Sequence, residues 1–122
     1  MADIENADQP KRLFVEHAVV DGVRVVTVRG EIDHDVREVF HKALQFEDGT
    51  PAPWRIVVDL SGVSFMDSSG INTFIACHRQ VSQMQGWVRI ASAHPFVVRV
   101  LALVGVDAVI ACYPSVKQAL HA

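Results

Sequence analysis

The stretch that decides the fold is residues 55–71, which read RIVVDLSGVSFMDSSGI. Its first part, Arg55–Leu60, is rich in β-branched side chains, and the apolar run at 56–58 is continuous rather than alternating. Continuous apolar runs are typical of parallel strands that are covered on both faces. From Ile71 to about Gln85 the apolar residues recur at helical spacing. The stretch therefore predicts a buried strand that turns into a helix.

The flanking segments continue this alternation of strands and helices. Asp21-Gly22 is a hairpin turn signal between two β-rich runs, and Gly30 is expected to end the second run. The predicted strands are 13–15, 23–28, 55–60, 87–91 and 108–112, and the predicted helices are 36–44, 71–85, 95–104 and 116–120. The order ββαβαβαβα predicts an α/β domain with about four helices, whose sheet of four or five strands is mainly parallel with an antiparallel edge strand.

Several residues mark where the helices begin and end. Asp35 and Ser115 are each followed three residues later by Glu or Gln, which is the capping-box offset, so both are predicted N-caps. Pro95 suits the first turn of the third helix. Gly86 is expected at the first position beyond the second helix, where glycine favours the left-handed conformation.

The turn from the decisive strand into its helix consists of small polar residues, Asp67-Ser68-Ser69-Gly70. In open α/β sheets, ligands and partners usually bind at the carboxyl ends of the strands. Either serine hydroxyl can cap the helix, and a phosphate placed there would meet backbone N–H donors and the positive end of the helix dipole. The same residues are also an ordinary strand-to-helix turn, so a phosphoserine site and a simple cap are both open.

Length and composition fit one globular domain. The chain has 122 residues, of which 50% are apolar and 20% charged, and this excludes disorder for most of it. Mean hydropathy is +0.23, yet charges interrupt the apolar segments before they reach the roughly 18–20 residues of a membrane-spanning helix. The polar, acidic start is unlike a signal peptide. We expect a flexible lead-in at 1–12, a single domain at 13–122 and a cytoplasmic protein.

Charge and motif content exclude several function classes. The net charge of −3 comes without a basic patch, which disfavours direct nucleic-acid binding. Cys77 and Cys112 are too few for a disulfide framework and form no Cys-x-x-Cys motif, so we expect reduced thiols. A Gly-x-Ser-x-Gly elbow, glycine-rich phosphate loops and a third ligand for His34 and His41 are all missing from the sequence. We therefore expect no catalytic residue, no metal and no cofactor, and a protein that is not an enzyme.

Two motifs resemble a known family. Residues 58–71, VDLSGVSFMDSSGI, resemble the signature of the STAS domain, and specifically that of the bacterial anti-sigma factor antagonists. Residues 30–34, GEIDH, are similar to the family's Gly-Glu-(Leu/Ile)-Asp stretch between the second strand and the first helix. The end of the third helix at 104–106 agrees as well. The similarity covers about residues 13–120 and implies the STAS fold for nearly the whole chain.

The resemblance also implies a function. In these antagonists the serine directly after the aspartate of the motif is phosphorylated, and this serine corresponds to Ser68. The unphosphorylated chain would bind an anti-sigma factor that is also a serine kinase, which releases a sigma factor. That kinase would supply ATP and magnesium, phosphorylation would release the chain, and a PP2C-type serine phosphatase would restore it. The implied partner-binding residues are Glu31, Asp33, His34, Asp67, Ser69 and Gly70.

Some alternatives stay open on the sequence. A STAS chain can also act as a scaffold in a stressosome or as an accessory subunit of a lipid or anion transporter. Ser69 is a second candidate for phosphorylation, and Asn72 stands where relatives often have glycine. One phosphoserine would change the net charge from −3 to about −5. We expect its position beside Asp67 to weaken binding more than the change in total charge does.

Overall fold

Strands and helices alternate along residues 12–122, the part of the chain that the computed structural model describes. The strands are β1 (Phe14–Val20), β2 (Val23–Ile32), β3 (Arg55–Met66), β4 (Trp87–Ala91) and β5 (Cys112–Tyr113). The helices are α1 (Arg37–Ala43), α2 (Ser68–Gln83), α3 (Pro95–Leu103) and α4 (Val116–His121). A 3₁₀ turn precedes α1 at His34–Val36, and another follows α3 at Val106–Ala108. Except for Arg12, the expected lead-in at 1–12 lies outside the described residues.

The five strands lie side by side in the order β1-β2-β3-β4-β5. β1 and β2 pair antiparallel through the turn at Asp21 and Gly22, whose φ angles of 52° and 79° both lie in the left-handed region. The other three pairs are parallel. The predicted fold class, a mainly parallel sheet with an antiparallel edge strand and four helices, is confirmed.

The central strand β3 is buried on both faces, as its continuous apolar run predicts. Ile56 and Val58 belong to the larger core, which lies under α1, α2 and α3, whereas Val57 packs with Ala119 of α4 on the opposite face. All three side chains of the run are fully buried. In the larger core the rings of Phe40 and Phe74 meet edge to face at 5.3 Å, which joins α1 to α2.

Three strands run beyond their predicted ends. β2 does not end at Gly30, because this residue adopts φ 123° at a register shift and the strand continues to Ile32. β3 continues beyond Leu60 to Met66 because the second half of β2 pairs with it. Val63 and Met66 are buried, while Ser64 and Phe65 between them are exposed. β1 also runs beyond its predicted end, as far as Val20.

The helix ends follow the predictions in part. Ser115 caps α4 by accepting from the Gln118 N–H at 3.1 Å, and Pro95 opens α3, as predicted. Asp35 is not the N-cap of α1, because a 3₁₀ turn intervenes and the residue before α1 is Val36. After α2 the left-handed residue is Gln85, with φ 59°, and not Gly86.

Gly86 is nevertheless required for a different reason. A Cβ at this position would lie 1.6 Å from the carbonyl oxygen of Trp54, so only glycine lets the two backbones approach. The Trp87 N–H donates to the same carbonyl at 3.0 Å, which aligns the starts of β3 and β4.

The fifth predicted strand differs most from the structure. Residues 106–108 form a 3₁₀ turn, and β5 comprises only Cys112–Tyr113 rather than 108–112. Two large apolar side chains, those of Val39 and Val104, are exposed by 49% and 54%. Cys77 is buried and Cys112 half-buried, and neither forms a disulfide. None of the helices within residues 12–122 combines the length and apolar character required to cross a membrane.

Candidate functional site

The β3–α2 junction forms the centre of the candidate site. Asp67 has an extended backbone, and its carboxylate accepts from the Ser69 N–H at 2.8 Å, so Asp67 is the N-cap of α2. Its carbonyl accepts from the N–H groups of Gly70 and Ile71. Either serine hydroxyl could have capped this helix on the sequence alone, but Asp67 is the residue that does. Aspartate and serine are both good N-caps, and here Asp67 has the extended conformation that a cap requires.

The β2–α1 loop lies directly beside this junction. Ile32 pairs with Met66 at the end of the parallel ladder, and the Asp67 N–H donates to the Ile32 carbonyl at 3.0 Å. Gly70 faces the same two side chains, because a Cβ there would lie 2.6 Å from Met66 Cγ and 2.9 Å from Ile32 Cγ2. Gly70 is buried, so it contributes close packing rather than a surface group.

The β2–α1 loop has its own cap. The Asp33 carboxylate accepts from the Asp35 N–H at 3.0 Å and starts the 3₁₀ turn, and Asp33 is only 9% exposed. His34 is exposed, and its carbonyl accepts from the Arg37 guanidinium at 2.7 Å. These contacts fix the loop in which the second motif ends, at the same edge of the sheet as Asp67.

The two adjacent serines differ in accessibility. Ser68 is the first residue of α2 and is exposed. Ser69 is half-buried, its N–H donates to Asp67, and its carbonyl accepts from the Thr73 hydroxyl at 3.1 Å. Of the two hydroxyls, the one on Ser68 is therefore more open to a second protein.

The charge at this edge is mainly negative. Carboxylates at Glu31, Asp33, Asp35 and Asp67 lie on the two adjoining loops and the strand end before them. They do not form a metal site, because residues 12–122 contain no group of three or more His, Cys, Asp or Glu side chains that could hold a metal ion. A phosphate at this edge would be stabilised by the dipole of α2 and destabilised by repulsion from the carboxylates.

Sequence reasoning did not identify one exposed aromatic residue at this edge. Phe65 is 40% exposed and pairs in register with Glu31, next to the loop that begins at Asp33. The signal was present in the sequence, because an aromatic residue between Ser64 and Met66 stands out in a strand end whose other exposed residues are small and polar. An exposed aromatic side chain beside charged loops is a feature of protein interfaces.

Relatives of known role agree with this architecture. An anti-sigma F factor antagonist from Paenibacillus polymyxa is 26% identical over 99 residues, which cover 81% of this chain and 85% of that protein. The crystal structure of an anti-sigma factor antagonist from Mycobacterium paratuberculosis is similar with a TM-score of 0.81 and 28% identity, covering 93% of this chain and 95% of that one.

The same fold occurs in an anion transporter. The murine Solute Carrier 26 family member A9 anion transporter is similar with a TM-score of 0.72 at 18% identity, and the match covers 98% of this chain but 23% of the transporter. At this identity the likeness concerns the fold alone.

The sequence profile of the STAS domain matches residues 15–119, which is most of the chain. This chain therefore belongs to the STAS domain family.

Proposed function

We propose that this protein is an anti-sigma factor antagonist that acts by binding rather than by catalysis. The relatives from Paenibacillus polymyxa and Mycobacterium paratuberculosis are both named for this role. Its partner is an anti-sigma factor, and binding of the antagonist to that factor releases a sigma factor. The surface used for binding comprises Glu31, His34, Asp67, Ser69 and the exposed face of Phe65. Asp33, which is largely buried, positions the loop that carries His34, and Gly70 is packed beneath the surface.

Phosphorylation of Ser68 switches this binding off. An anti-sigma factor that is also a serine kinase transfers the γ-phosphoryl group of magnesium-bound ATP to the Ser68 hydroxyl. The modification adds about −1.5 to −2 charge beside the Asp67 carboxylate. The added charge and bulk weaken the contact with the partner, and a PP2C-type phosphatase hydrolyses the phosphoester to restore binding.

The observation that carries the proposal is the position of Ser68. It is exposed at the first position of α2, while the rigid cap below it is made by Asp67 and not by Ser68 itself. A phosphate on Ser68 therefore replaces no hydrogen bond of the cap. The switch can act on the surface without unfolding the helix.

The test combines the protein with its cognate anti-sigma factor, ATP and magnesium, and maps phosphate by mass spectrometry. Ser68→Ala should abolish labelling, and the matched variant Ser69→Ala should retain it. Equal labelling of Ser68→Ala and the unmodified chain would overturn the site. Stable co-purification with a transporter, together with no labelling by any anti-sigma kinase, would favour the accessory-subunit alternative instead.

A further inference from the structure

The two edges of the sheet differ strongly. β5 has two residues, whereas β1 at the opposite edge has seven, FVEHAVV, and every one of them is exposed or half-buried. Natural edge strands are usually short or carry a charge, most often lysine, a proline or a bulge, all of which prevent pairing with another chain. β1 has no lysine or proline, its one carboxylate, Glu16, pairs with Arg29 of β2 at 2.6 Å, and its register with β2 is uninterrupted. Phe14 is 62% exposed and Val19 74%.

The hairpin turn determines which backbone groups of β1 point outward. A two-residue turn of this kind closes on a hydrogen-bonded pair, here Val20 with Val23. Hydrogen-bonded pairs alternate along an antiparallel ladder. The even-numbered residues of β1 therefore bond to β2, and the N–H and C=O groups of Val15, His17 and Val19 point away from the sheet.

We propose that β1 is a self-association surface and pairs antiparallel with β1 of a second copy, around a two-fold axis that passes His17. Both sheets then continue as one, and the outward N–H and C=O groups of each edge bond to the other. In this register Phe14 lies opposite Val20 of the second copy and Val15 opposite Val19. His17 lies opposite His17.

Side-chain chemistry selects this register. A two-fold axis perpendicular to the sheet keeps the corresponding faces of the two sheets on the same side. The nearest alternative registers are therefore those in which one strand is shifted by two residues along the other. One such shift places Glu16 opposite Glu16, and the other places His17 and Glu16 opposite valines. When the axis passes His17, Phe14 and Val15 each lie opposite a valine of the second copy. Arg12 then lies at the same end of the paired strands as the turn residue Asp21 of the second copy, so that opposite charges are brought near each other. Pairs of this kind stabilise antiparallel strands, while like charges directly opposite destabilise them.

The proposed contact is modest in size and separate from the Ser68 site. Seven paired residues bury less surface than a standard protein interface, so we expect a dissociation constant on the order of 10–100 µM. β1 lies two strands away from β3, whose end leads into Ser68. Failure of the dimer test would therefore leave the phosphorylation proposal intact, and the reverse also holds.

Sedimentation velocity of the full chain between about 5 and 300 µM tests the proposal. We expect a reversible monomer–dimer equilibrium that Val19→Lys weakens at least about tenfold. Leu103→Lys is the matched control, because Leu103 is 79% exposed in α3, and it should leave the equilibrium unchanged. A chain that stays monomeric over the whole range, or a dimer that is lost with Leu103→Lys and kept with Val19→Lys, would overturn it.

A second pair of variants tests the register at one position. The axis at His17 places Ala18 opposite Glu16 of the second copy. Ala18→Glu should therefore weaken the dimer about tenfold, and Ala18→Lys should preserve or strengthen it. Ala18 is exposed, so neither variant disturbs the core. Equal effects of the two charges would overturn the register.

Discussion

The backbone N–H of Asp67 donates to the carbonyl of Ile32 at 3.0 Å. This bond joins the ends of two parallel strands, and each of the two family motifs runs across one of these strand ends. It extends the hydrogen-bonded ladder between β2 and β3 by one residue, so that the loops beginning at Asp33 and Asp67 leave the sheet side by side. A change on Ser68 therefore acts on a surface whose backbone is already fixed.

Removal of the α2 cap should separate the structural role of Asp67 from its charge. Asp67→Ala loses the bond to the Ser69 N–H and should lower the free energy of unfolding by about 1 kcal/mol. Asp67→Asn keeps the capping oxygen and should cost only a few tenths of that. Urea denaturation followed by circular dichroism measures both. Equal losses for the two variants would show that the cap contributes through its charge.

A methyl group on Gly70 should disrupt the packing of the first turn of α2 against the ends of β2 and β3. The new Cβ would lie 2.6 Å from Met66 Cγ and 2.9 Å from Ile32 Cγ2, so Gly70→Ala should destabilise by about 1–3 kcal/mol despite the better helix propensity of alanine. Asn72→Ala, on the exposed side of the same helix, is the control and should be neutral or stabilising. A Gly70→Ala variant as stable as Asn72→Ala would contradict the close approach.

Phe65 should contribute to partner binding without supporting the fold. Phe65→Ala should raise the dissociation constant for the anti-sigma factor about tenfold, because exposed aromatic residues often anchor interfaces. Its free energy of unfolding should change by less than about 0.5 kcal/mol. Phe96→Ala is the control, since Phe96 is 53% exposed on α3. Calorimetric titration that finds the same affinity for both variants would remove Phe65 from the binding surface.

Cys77 should give the protein a pH-dependent stability in alkaline solution. Burial raises the pKa of the Cys77 thiol from 9.0 to about 12, and the Arg24 charge opposes this only in part. Above pH 9 the unfolded chain loses this proton while the folded chain keeps it. The contribution to stability is thus fully present below pH 9 and declines as the pH rises towards 12, by at most about 1.4 kcal/mol per pH unit.

Denaturation curves of the unmodified chain and of Cys77→Ala, recorded at several pH values from 8 to 10.5, isolate this term. The variant lacks the thiol, so its stability should fall less steeply than that of the unmodified chain. Parallel slopes would show that Cys77 does not titrate as its burial requires.

Much of the fold follows from local patterns. The continuous run at 56–58, the Asp21-Gly22 turn and the cap at Ser115 are each determined by side chains close in sequence, and all three agree with the structure. The second half of β3 was not predictable in this way. Its polar residues face solvent, and only pairing with β2, about thirty residues earlier in the chain, makes them a strand.

The candidate site was predictable in position more than in detail. Its place at the carboxyl ends of β2 and β3 follows from the parallel order of the strands. The choice of Asp67 over the serines as cap, and the 3₁₀ turn that displaces Asp35, depend on backbone angles that sequence spacing does not specify. The role of Gly70 likewise required the positions of Ile32 and Met66.

The proposed switch is tested by the affinity of the anti-sigma factor for this protein before and after phosphorylation of Ser68. Isothermal titration should show tight binding of the unmodified chain and of Ser68→Ala. The Ser68-phosphorylated chain should bind at least about tenfold more weakly, because the added charge lies beside Asp67. Its circular dichroism spectrum should be unchanged. Equal affinities of the phosphorylated and unphosphorylated chains would rule out a switch at Ser68.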